Sequence, residues 1–225
     1  MKIKSLAFLL LLAALLSLPS CAQPEPYICD DYSCTLYTLG GTLTKIAVTS
    51  PDGSKQTLRA YGDAVKENSV SSFELIDLNF DGHDDIRYIA RVTDVGYRYD
   101  CFIYEPIAGI FSENSTLNSL ISPTVDAEAK TISSYHYKKT VEPATEDTPA
   151  ATIIEAGLTV YGWVNQRFVP LSGEMITYYS ENDIYKVSTY TPNDDGKLES
   201  VRDRWLSPEQ YDRAGYPPIE SAYKQ

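Results

Sequence analysis

A chain of 225 residues with 31 acidic and 19 basic side chains carries a formal charge of −12, and so repels phosphate backbones and anionic lipid headgroups. That balance excludes nucleic acid as a partner and favours a basic protein. With two histidines, four cysteines and no nucleophile elbow, phosphate loop or zinc-protease motif, the chain reads as a binding protein rather than an enzyme.

The N-terminus reads as an export signal. Lys2 and Lys4 precede an apolar run from Leu6 to Leu16, shorter than the roughly 20 residues of a membrane span. Leu18-Pro19-Ser20-Cys21 then matches a lipobox, which makes residues 1–20 the signal peptide and Cys21 the lipid-bearing first residue. Cleavage would remove Lys2 and Lys4 and take the charge from −12 to −14. Ala22 after the lipidated cysteine is the form associated with outer-membrane sorting. The expected location is therefore the bacterial envelope, on the periplasmic face of the outer membrane, with the lipid as the sole membrane contact.

Residues 21–28 read as a short tether, and residues 29–225 as a single domain long enough to bury its own core. If Cys21 is acylated, Cys29, Cys34 and Cys101 remain. A disulfide between Cys29 and Cys34, or between either of them and Cys101, suits an oxidising compartment, and the spacing does not choose among them.

Strand signals dominate from there. Eighteen tyrosines and many Thr and Val residues, punctuated by Gly, Pro and Asp, predict an all-β fold, an antiparallel β-sandwich or barrel-like meander. Leu43 to Val48 and Gln56 to Arg59 flank a Ser50-Pro51-Asp52-Gly53 turn. Phe73 to Leu78 and Ile86 to Val92 flank an acidic loop, with Ile86, Tyr88, Ala90 and Val92 on one face. Cys101 to Tyr104 returns through Pro106 to Gly109 into Ile110-Phe111. Residues 140–151 are polar and proline-containing and read as an exposed loop or a boundary between two lobes. Further strands run over Leu158 to Val164, Phe168 to Leu171, Met175 to Tyr179, Tyr185 to Tyr190 and Leu198 to Trp205. Ser207-Pro208-Glu209-Gln210 supplies an N-cap, a first-turn proline and a capping-box glutamine for one short helix.

The acidic loop carries the chemistry. Asp77, Asn79 and Asp81 stand at positions 1, 3 and 5 of a calcium-loop pattern, Gly82 at 6, His83 at 7 and Asp85 at 9. Alternate residues of a tight turn aim their oxygens into one space, Gly82 permits the sharp bend, and the carbonyl of His83 and the carboxylate of Asp85 complete the shell. Tyr88 at position 12 replaces the bidentate Glu of an EF-hand and the flanks are strands. The expectation is a stand-alone structural Ca²⁺ loop with a Kd on the order of 10⁻⁴ M. His136, in Tyr135-His136-Tyr137, reads as a surface strand residue.

Three segments in this order resemble one family. Asp77 to Ile86, then Gly96-Tyr97-Arg98-Tyr99-Asp100-Cys101-Phe102-Ile103-Tyr104, then Val125 to Ser134 look like the XAC2610-related periplasmic proteins and lipoproteins, over roughly residues 70–140. The resemblance implies a calcium-bearing β fold similar to periplasmic lysozyme inhibitors, some acting as immunity proteins against peptidoglycan-cutting toxins. Carried over, Gly96, Tyr97 and Tyr99 are the partner-binding residues. Tyr97 stands where the family often has Asn, and the Gly96–Tyr99 interval is one residue short. The implied partner is a basic secreted peptidoglycan hydrolase. A structural or adhesive surface lipoprotein is the alternative.

Overall fold

The computed structural model describes residues 26–29, 31–39, 42–60, 70–145 and 150–219. The expected signal peptide, Cys21 and most of the tether lie outside the described residues.

Every strand pairing is antiparallel and joins neighbours in sequence, so the chain lays down three open meanders one after another. The first sheet holds β1 (Tyr27–Ile28), β2 (Ser33–Leu39), β3 (Thr42–Thr49) and β4 (Lys55–Arg59). The turn at residues 50–53 closes by a Gly53 N–H donating to Ser50 O at 2.9 Å, with Pro51 in the position its fixed φ suits. The second sheet holds β5 (Glu74–Ile76), β6 (Asp85–Thr93), β7 (Gly96–Glu105) and β8 (Ile110–Glu113). A short helix, α1 (Ser115–Ser119), capped by the Asn114 side chain, leads to the third. That sheet holds β9 (Thr124–Asp126), β10 (Thr131–Glu142), β11 (Ala151–Val164), β12 (Arg167–Tyr179), β13 (Ile184–Pro192) and β14 (Leu198–Leu206).

Side-chain alternation makes the second sheet the middle layer. Ile86, Tyr88, Ala90, Phe102, Tyr104 and Phe111 point to one face and pack with Cys34, Leu36, Ile46 and Val48 of the first sheet. Cys101 and Ile103 point the other way and pack with Leu117, Leu120, Ile132 and Phe168. The arrangement is a sandwich of three layers. Each fully buried aliphatic chain, such as Ile46, Ile86 or Ile132, contributes about 1.5–3 kcal/mol of transfer free energy. A third cluster, around Ile154, Ile176 and Val187, is covered by α2 (Pro208–Arg213), whose Tyr211 stacks on Tyr185 at 3.9 Å. The capping box at Ser207 and Gln210 is formed in both directions.

Four expectations change. Val92 lies beyond a bulge at Ala90 and is 40 % exposed, off the face of Ile86 and Tyr88. The polar stretch 140–151 divides no lobes, because β10 and β11 pair along it from Glu142↔Ala151 onward and the connection spans only residues 143–150. Residues 168–171 and 175–179 form one continuous strand. Cys29, Cys34 and Cys101 are free thiols, and Cys34 and Cys101 belong to clusters on opposite faces of the middle sheet, which rules out a bond between them in this fold.

Candidate functional site

The acidic turn enters the middle sheet at the start of β6. Asp77 folds it: its Oδ1 accepts from Asp81 N–H at 3.2 Å and its Oδ2 from Gly82 N–H at 2.9 Å. Asn79 Oδ1 also accepts from Asp81 N–H, at 3.1 Å, and Asp81 Oδ1 from His83 N–H at 3.0 Å. Phe80 at φ 60° and Gly82 at φ 93° take the left-handed conformations the bend demands. These three oxygen-bearing side chains share one exposed turn, and their hard donors are the kind calcium takes.

The structure gives Asp85 a different role from the outer ligand expected of it. It is fully buried, and its Oδ2 accepts from Leu78 N–H at 2.7 Å while Oδ1 accepts from Tyr104 N–H at 2.8 Å. Burial pushes its carboxyl up to about 7, against the pull of those two amides. It ties the turn to the next strand but one. The imidazole of His83 reaches the β1–β2 connection, with Nδ1 2.8 Å from Asp31 Oδ2, and that hydrogen bond raises its pKa. Among the described residues, no three His, Cys, Asp or Glu side chains converge as a preformed metal cluster.

The second predicted feature lies at the other end of the same hairpin. β6 and β7 meet at Thr93↔Gly96, about 30 Å from the acidic turn at some 3.3 Å per strand residue. Gly96 sits at φ 143°, and a Cβ there would lie 2.3 Å from Ser122 Oγ. Ser122 clamps the tip: its N–H donates to Tyr97 O at 2.7 Å, and its Oγ accepts from Tyr97 N–H at 3.1 Å. Thr93 Oγ1 donates to Gly96 O at 2.8 Å. Tyr97 stands 37 % exposed on this braced tip.

Tyr99 does not join it. Its ring packs into the interface with the third sheet, under the guanidinium of Arg87 at 4.7 Å. Arg87 is held in turn by Glu74 Oε2, accepting at 2.6 and 3.2 Å, and by Pro123 O at 3.3 Å. Of the three residues carried over, Gly96 and Tyr97 form the tip and Tyr99 supports it from within.

Sequence reasoning missed Ser122 and Trp163. Ser122, at φ 41°, sits in a segment with no motif, 25 residues from its partner. Trp163 donates its indole N–H to Leu78 O at 2.9 Å, anchoring the β11–β12 hairpin beside the acidic turn across 85 residues of sequence.

Fold and site together define an antiparallel three-sheet β-sandwich with an acidic turn and a braced aromatic tip at opposite ends of its middle layer. No protein-family model matches the chain, and no curated protein matches it. Among solved structures it is similar to a Xanthomonas Type IV secretion system related protein, with 15 % identity and a TM-score of 0.50 over 79 % of this chain and 92 % of that one. At that identity the likeness is one of fold.

Proposed function

We propose that this chain is a lipid-anchored envelope protein of the XAC2610-related kind, whose sandwich binds a basic secreted peptidoglycan hydrolase and blocks its cleft. The observation that carries this reading is the β6–β7 tip. Ser122, Thr93 and the close-packed Gly96 hold its backbone in one conformation, so Tyr97 is presented to a partner with little ordering left to do. The acidic surface suits a basic target by speeding its encounter. The fold shared with a secretion-related Xanthomonas protein fits a chain that works at the envelope.

Calcium belongs to this proposal as a structural ion. Asp77, Asn79, Asp81 and the His83 carbonyl would hold it, and it would neutralise the turn's charge. Asp85 stays behind the turn as its tether to β7.

The purified protein, assayed in calcium against a panel of lysozymes, should inhibit at least one, with inhibition weakened about tenfold or more by Tyr97→Ala. Absence of inhibition at micromolar concentration removes the reading. Cys21→Ser should release the protein from the membrane fraction; unchanged partitioning would refute the anchor.

A further inference from the structure

Besides the projecting tip, the molecule has a concave surface at the acidic-turn end of the middle sheet. A cavity of about 840 Å³ opens between that turn, the β7–β8 connection and the end of the β11–β12 hairpin. Its wall is partly apolar, with Ile103, Pro106 and Trp163, and Ile107 stands fully exposed at its rim. Asp81, Glu105 and Glu113 line it, and among the described residues no lysine or arginine does. The wall is built rather than casual, since the Trp163 indole is fixed by Leu78 O at 2.9 Å and Glu105 accepts from Ser112 Oγ at 2.7 Å.

We infer that this groove is a docking site for a basic, partly apolar segment of a protein partner. Charge selects the occupant: the Glu105 and Glu113 carboxylates, outside the calcium turn, favour lysine or arginine, and the Trp163–Ile107 wall takes an alkyl stem or an aliphatic neighbour. The volume lies within the range of ligand-binding clefts, about 300–1,000 Å³, room enough for more than one side chain. About 20–26 Å of β7 separates its Ile103–Glu105 wall from the Tyr97 tip, so the two surfaces would grip separate parts of a partner. The inference deepens the hydrolase reading by naming a second contact and the chemistry of what fills it.

The chain has two tryptophans, so Trp205→Phe leaves Trp163 as the only indole emitter, inside the groove. Titrating that protein, in calcium, with the peptide Lys-Leu-Lys-Leu-Lys should change the emission saturably. Glu105→Lys with Glu113→Lys should weaken the response about tenfold or more. The charge-matched pair Glu128→Lys with Glu142→Lys, exposed and outside the groove, should leave it unchanged. No saturable change, an equal response to Glu-Leu-Glu-Leu-Glu or to spermidine, or equal weakening by the distant pair would overturn the inference. Lysozyme inhibition measured in parallel separates the two ideas. Peptide binding without inhibition keeps the groove and loses the hydrolase, and inhibition without peptide binding does the reverse.

Discussion

Asp85 closes the acidic turn by accepting two backbone hydrogens in a place water does not reach. Its replacement by alanine strands both donors, at about 1–3 kcal/mol each. Asp85→Ala should therefore lower the unfolding free energy by about 3 kcal/mol in urea titration, whereas a purely surface role predicts a change within about 0.5 kcal/mol. Gly96 is held by different physics, the space left by Ser122 Oγ and a φ of 143°. Gly96→Ala should cost about 1–3 kcal/mol through backbone strain. Ser122→Ala, which removes one accepted hydrogen bond, should cost about 1 kcal/mol. An equal or larger loss for Ser122→Ala would mean that contact, not strain, fixes the tip.

At the level of elements, the clearest pH effect belongs to the outer strands of the third sheet. Lys186 on β13 lies 2.9 Å from Asp203 on β14, and that hydrogen bond, followed by those from Ser188 and Ser200, lowers the Asp203 carboxyl to about 2. A carboxyl lowered on folding adds stability that is complete above its unfolded value, about 3.9, and is lost as pH falls toward 2. The melting temperature of Asp203→Asn should thus lie below that of the parent at pH 5 and converge with it by pH 2; a constant gap would contradict the assignment. Much of the element pattern was legible beforehand. The Pro51-Gly53 turn, the β6 alternation at Ile86 and Tyr88, and the capping box at Ser207 each depend on neighbours within a few residues. The rest depends on partners far along the chain. Ser172 and Gly173 read as a break because they lack apolar pattern, yet the paired strands on both sides carry β12 straight through them. The acidic turn was legible as residues but not as roles, since only the fold of β7 over β6 reveals that Asp85 serves Tyr104 N–H. Ser122 could not be found from sequence, because a serine 25 residues away carries no signature of the Tyr97 backbone it clamps.

Over the whole molecule, the proposed cation would act as a ligand of the folded state alone. At calcium about 100-fold above Kd, the gain is about 2.7 kcal/mol, and at about 2–4 °C per kcal/mol for a domain of this size it should raise the melting temperature by about 5–10 °C. Asp77→Asn with Asp81→Asn should abolish the shift without unfolding the protein. Equal melting in calcium and in chelator would remove the ion from the account while leaving the tip and the groove as they stand.

The hairpin of β6 and β7 has no solvent face along its middle, being roofed by one sheet and floored by another. An amide there can trade its hydrogen for deuterium only when a covering sheet lifts and its own interstrand hydrogen bond opens. Those amides should accordingly be the slowest to exchange in the chain, and their rate measures the opening of the entire assembly. Anything docked at either end of that hairpin sits on its most reluctant part, and would be felt as a further slowing at its centre.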